Sequence, residues 1–291
     1  MDTAVVVPVN AVEPRASAPA AQRYYRRFAA SERVMHAFLM LSFVGCALTG
    51  LPLIFSHQAW ATVLATLLGG FRGAALIHRV CALVMLTVFI THVSLVVRRA
   101  IVTGNWKAML WGPDSLVPQP QDAIDLWNNV KWFVGRGPKP TFDRWTYWEK
   151  FDYWAVFWGM AIIGGSGLLL WFPLFFSKFM PGFMFNVASL VHGEEALLAV
   201  GFIFTFHFFN GHLRPEKFPM DTVVFTGRIP EHELQNERGA EYRRYAQSGE
   251  LSGKLAPAPT RESLIFGWFV GGAALTLGVI AIVLIIYSVL F

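Results

Sequence analysis

Apolar residues along the chain collect into five runs of about twenty, at roughly 33–55, 76–98, 152–174, 189–212 and 263–290. A helix of that length crosses the hydrocarbon core of a bilayer. Two long polar segments, 99–151 and 213–262, alternate with two short connections, 56–75 and 175–188. The pattern predicts an all-α integral membrane protein: a four-helix transmembrane bundle plus a fifth C-terminal transmembrane helix. It divides the chain into an N-terminal tail (1–30), a transmembrane domain (31–225), a polar segment and linker (226–262) and the last helix (263–291). The first polar segment carries Trp106, Trp111, Trp127, Trp132, Trp145 and Trp148, a density that suits the headgroup level. The second ends in SGKLAPAPT, which reads as a linker.

Composition changes this picture in one respect. The 291 residues carry a formal charge of +5, and the cations are sided. Arg15, Arg23, Arg26, Arg27 and Arg33 precede or open the first run, and both long polar segments are rich in Lys and Arg. The short connections hold little beyond Arg72 and Lys178. The positive-inside rule then puts the N-terminus in the cytoplasm and the C-terminus on the opposite side, and accounts for the charge without nucleic acid. Cys46 and Cys81 both sit inside apolar runs, which leaves no disulfide framework and no covalent haem motif. The stretch to about Ala20 has no secretory-signal pattern and reads as a flexible tail.

The histidines carry the chemistry. His78 and His92 are 14 residues apart on the second run, and His192 and His207 are 15 apart on the fourth. Helical geometry returns each pair to within roughly 60° of one face and separates its members by about 21 to 22 Å. The two runs cross in the same direction, so His78 comes level with His192 near the outer side and His92 with His207 near the inner. Facing imidazoles at one depth can hold one haem iron axially. Matched pairs of neutral imidazoles suit a metal better than a proton relay or a set of core histidines.

The inner site has more candidates than it needs. His36 lies one turn inside the first run and His212 ends the fourth. In an ideal α-helix His212 points about 140° away from His207. The inner iron takes His207 with His36, or His207 with His92, or a third haem uses His212. Arg33, Arg79, Arg98 and Arg99 stand beside these histidines as candidate propionate partners. Gly45, Gly50, Gly159, Gly164, Gly165 and Gly167 remove bulk where a porphyrin can lie. Glu194 and Glu195, read at the outer start of the fourth run, are candidates for quinone and proton handling, as is Asn210 in an inner pocket. His57 reads as an interfacial residue.

The segments SERVMHAFLMLSFVGCALTGLPL, LIHRVCALVMLTVFITHVSLVVRR, FDYWAVFWGMAIIGGSGLLLWF and VHGEEALLAVGFIFTFHFFNGHLRPEKFPMD resemble the haem b membrane subunits of the formate dehydrogenase, nickel-iron hydrogenase and thiosulfate reductase group. The resemblance covers nearly all of residues 30–225. It implies ligands on the first, second and fourth helices, here His36, His78, His192 and His207. His92 departs from that pattern, as does the fifth helix. The resemblance further implies two or three haems b, quinone as substrate, a bacterial plasma membrane, and a periplasmic redox partner such as a multihaem cytochrome c or an iron–sulfur protein. The expected function is electron transfer as a subunit of a quinone-linked oxidoreductase complex. The rival readings are a transporter or channel with a histidine-lined path, and a haem b cytochrome using a soluble reductant.

Overall fold

A computed structural model describes residues 22–291; the tail expected over residues 1–20 lies outside them. Five helices are long and apolar enough to cross a membrane: Ala30–Ile54, Gly70–Thr103, Tyr147–Trp171, Phe183–Leu213 and Arg261–Leu290, here the first to fifth spans. All exceed the apolar runs that announce them, because a helix continues past the bilayer while its backbone stays paired. The second span has 34 residues, about 51 Å, well beyond a hydrocarbon core of about 30 Å.

Local sequence sets the ends. Glu32 accepts the Ala29 N–H at 2.6 Å, closing a free donor at the start of the first span. Thr146 and Glu149 form a reciprocal capping box at the start of the third, and Thr260 caps the fifth. Gly69 and Gly70, at φ +86° and +80°, make the turn into the second span that an L side chain would strain. The connection at 56–75 contains a short helix, Ala59–Leu67, whose Trp60 indole donates to Ser288 at 2.9 Å. That bond joins the exit of the first span to the end of the fifth. Both therefore lie at one face of the bundle, opposite the face that carries residue 30 and the long polar segments.

The first span packs along the second and the third along the fourth. A common core joins Ala47, Leu51 and Phe55 of the first span to Val200, Phe204 and Phe208 of the fourth and Ala274 and Ala281 of the fifth. The fifth span is thus built into the bundle. Its buried row is Gly267, Gly271, Ala274, Gly278, Ala281 and Ser288. Small residues let two backbones approach closely where lipid offers no hydrophobic drive for helix association.

The polar face is folded. Tyr24–Arg26 (β1) is the middle strand of an antiparallel sheet, flanked by Arg228–Pro230 (β2) and Leu255–Ala256 (β3). Residues 22–30, read as tail, therefore include a strand. The stretch 226–262, read as linker, also holds helices Glu231–Glu237 and Gly239–Ser248. Alternating charged and apolar residues hid this small layer from a search for long periodic runs.

Ion pairs bind the layer to the spans. Glu241, 2% exposed, accepts from Arg27 at 2.8 Å and Arg144 at 3.3 Å. Arg238 meets Glu149 at 2.7 Å, and Lys217 meets Asp221 at 3.0 Å and also Glu233. Burial, then the neighbouring Arg238, brings Arg27 down to about 10, still protonated at neutral pH. Many of the cations behind the sided charge are therefore partners of acids on the same face.

Two predictions follow from this packing. A side chain on Gly278 meets Phe204 and Phe208 at 2.7 Å, whereas one on Gly272 has nothing within 4 Å. Gly278→Leu is expected to destabilise by about 1–3 kcal/mol in detergent melting, and Gly272→Leu to leave the transition in place. Glu241→Ala removes the carboxylate from the buried Arg27 and the half-buried Arg144 and is expected to cost about 3–5 kcal/mol by the same measurement.

Candidate functional site

His78 stands eight residues into the second span and His192 nine into the fourth. Both sit about 12 to 14 Å below the helix starts at the face opposite the polar layer. Their rings face each other with centroids 6.1 Å apart and planes at 74°.

The surroundings decide how each ring presents itself. Thr49 gives its hydroxyl proton to the Gly45 carbonyl at 2.6 Å and so accepts from His78 Nδ1 at 3.1 Å. His192 Nδ1 lies 2.9 Å from the Ile163 carbonyl and 3.3 Å from Ser166 Oγ, whose own proton goes to Ile162. A carbonyl can only accept, so His192 carries its proton on Nδ1, and His78 does likewise. Each Nε2 keeps a lone pair. Side chains at Gly50 and Gly167 would meet the two rings at 3.3 and 3.0 Å, so these glycines make room for the imidazoles. Gly45 is used differently, since a Cβ there would lie 2.5 Å from Cys81 Sγ.

A second group lies nearer the polar face. His207 Nδ1 is 2.9 Å from the Asp152 carboxylate, which accepts its proton and leaves Nε2 free. His36 is within electrostatic reach of His207 and His212 and makes no hydrogen bond among the described residues. The fourth span has π-helical turns at Ile203–His207 and Phe209–Leu213. Bonding from i to i+5 widens the turn, so His212, five residues after His207, comes back toward the same side. The 140° divergence expected of an ideal α-helix does not hold here.

His212 and His92 are otherwise engaged. His212 Nδ1 accepts the Asp221 N–H at 3.3 Å, which puts the proton of a neutral ring on Nε2. His92 Nε2 is 3.0 Å from the Tyr153 hydroxyl. Among the described residues no group of three or more His, Cys, Asp or Glu is arranged to hold a metal ion; the paired imidazoles are two-residue sites.

The arginines divide. Arg33 donates to the Phe225 carbonyl at 2.7 Å, and Arg79 lies over the Trp171 ring at 5.5 Å. Arg98 and Arg99 are exposed at the far end of the second span. Asn210 is half-buried in the second π turn, and His57 packs beside Phe55. Glu194 and Glu195 lie deeper than their place in the apolar run suggests. The fourth span starts at Phe183, which puts them about 17 to 18 Å along it. Glu194 is exposed, and Glu195 accepts the Trp158 indole N–H at 3.2 Å. An apolar cleft of about 470 Å³ is lined by Ile162, Ser166, Leu169, Phe176, Val187 and Val191, and reaches His192 only through Ser166.

Thr49, Asp152, Tyr153, Trp158 and Ser166 enter the site without a spacing signal in the sequence. Asp152 alone left a trace, as an acidic residue at the opening of an apolar run. Compared with known proteins, the chain matches no family model and no curated protein.

Proposed function

We propose that the chain is a membrane b-type cytochrome, a subunit that passes electrons between a quinone and a partner redox protein. The His78–His192 pair carries the reading. Two metal–nitrogen bonds of about 2 Å, plus about 1 Å from each nitrogen to its ring centre, require about 6 Å between centroids, against 6.1 Å here. Both Nδ1 protons are taken by protein acceptors, the arrangement that fixes the tautomer and ring orientation of a metal-bound histidine. Haem b, when bound, supplies reversible one-electron iron chemistry.

For the second pair, His36 with His207 is chosen by elimination. His207 has a free Nε2, His36 has no competing hydrogen bond, and His92 and His212 are committed to Tyr153 and Asp221. Two sites are therefore preferred to three. The family resemblance names the same four histidines and rests on the motifs already quoted. Arg79 stands next to His78 in sequence and is the preferred propionate partner, whereas Arg33 gives one N–H to the Phe225 carbonyl. The apolar cleft lined by Ser166 suits a lipid-soluble ring, and Glu195 at bilayer depth can take up or return the proton that quinone chemistry moves with each electron. The partner, by the resemblance, is a multihaem cytochrome or an iron–sulfur protein. A histidine-lined transport path is the second reading, favoured by the depth of Glu194 and Glu195.

A pyridine haemochrome assay on the purified chain is expected to give two haems b. His78→Ala or His192→Ala removes one, and His36→Ala or His207→Ala removes the other. His92→Ala and His212→Ala keep both. Folded protein without haem would overturn the reading in favour of transport. Haem reduced by ascorbate but not by a quinol analogue would point to a soluble reductant.

The two pairs also differ in charge. His207 is held by a carboxylate, whereas His78 and His192 are held by neutral groups. An anionic acceptor makes the imidazole a stronger donor and favours oxidised iron. Asp152→Asn is expected to raise the midpoint potential of one haem by about 60 mV, about 1.4 kcal/mol for one electron, and Asp152→Glu to restore it. Redox titration followed at the α band reads both.

A further inference from the structure

A cleft of about 630 Å³ opens at the polar face where the first span begins. Arg26, Arg27, Arg33, Arg144, Arg228 and Lys254 line it, with Glu32 as the one acid in its wall. Glu241 behind the wall takes Arg27 and Arg144, and Glu32 is held by the Ala29 N–H. The wall thus holds six cations and one acid, with Glu241 behind it; Arg228 also donates to the Pro257 carbonyl and Lys254 lies over the Tyr245 ring at 4.0 Å. Arg26 is exposed and has no carboxylate within 4 Å among the described residues. Arg33 Nε is buried with no protein partner. Gly227, at φ +73°, lets this corner close: a Cβ there would lie 2.6 Å from the Phe28 carbonyl and 3.0 Å from the Arg33 side chain.

We infer that this cleft seats the phosphodiester headgroup of an anionic membrane lipid. Guanidinium forks match phosphate oxygens in geometry and charge, and a basic pocket beside a span is where an anionic headgroup lies in the interface. A lipid is favoured over a free phosphate by what leaves the cleft. Ala30 lines it, and successive turns of the first span then present Val34, Phe38 and Leu41, 54%, 52% and 59% exposed. This apolar row starts at the cleft and runs toward the bilayer centre, the course an acyl chain takes from its headgroup.

The inference is independent of the haem reading, and its test uses the delipidated full chain in detergent. Native mass spectrometry and thermal melting follow the addition of phosphatidylglycerol, phosphatidylcholine or inorganic phosphate. Phosphatidylglycerol is expected to be retained and to raise the melting temperature, less so as salt is added. Arg26→Gln combined with Lys254→Gln leaves the Glu241 ion pairs intact and removes about 1 kcal/mol of attraction per cation, about 30-fold in affinity. Equal stabilisation by phosphatidylcholine would overturn the proposal, because the headgroup charge would then be irrelevant. Inorganic phosphate competing at matching concentration would make this a free-phosphate site, and unchanged lipid affinity in the double variant would place the lipid elsewhere. Should the variant not fold, loss of salt dependence in the unmodified chain is the overturning result.

Discussion

A polar side chain within a bilayer has no water to turn to, so its hydrogen bonds must be found inside the protein. Most of what distinguishes this bundle follows from that constraint. His78, His192 and His207 each pass an Nδ1 proton to a protein acceptor on a neighbouring element or span. With that proton placed, the ring can neither rotate nor change tautomer freely, and Nε2 is left with its lone pair. Thr49 and Ser166 serve twice, giving their own protons to carbonyls of their helix while standing against a histidine. These three imidazoles are thus set by their neighbours rather than by type, and His92 and His212 differ from them because Tyr153 and the Asp221 N–H are their partners.

The helices are adapted to these contacts. Glycine at positions 50 and 167 gives the rings the space a methyl group would fill, and glycine at 267, 271 and 278 brings the fifth span against Phe225, Met220 and the Phe204–Phe208 pair. The π turns in the third and fourth spans fall beside Ser166 and at His207. A widened turn changes which face a residue presents without breaking the helix. Outside the bilayer the problem is reversed, since charge is cheap in water but costly once covered. The polar layer covers Arg27, Arg238 and Glu241 and pairs them across three separate stretches of chain. Removing one member is therefore far worse than replacing the whole set.

The five spans, their alternation with polar segments and the histidines on the first, second and fourth were legible in the residues. Hydrophobic length and helical period are local properties, and a bilayer leaves little freedom in how they are used. Span ends were less legible: the fourth begins six residues before its apolar run, which moves Glu194 and Glu195 toward the middle of the span. The short strands around Tyr25 were not legible. Two or three residues carry no period, and β1 finds its partners about 200 positions away in sequence.

The sequence by itself thus determined that the chain is a five-span membrane protein and that His78 and His192 share one depth, because each statement needs only rise per residue and direction of crossing. Which nitrogen of His78, His192 and His207 carries the proton, what His92 bonds, and where the fifth span docks were decided by tertiary structure. Those outcomes depend on Thr49, Asp152, Tyr153 and Phe204, residues of ordinary type whose importance lies in what the fold brings beside them. Spacing along one helix gives depth and angle, whereas a hydrogen bond between helices depends on their mutual rotation, which only packing sets.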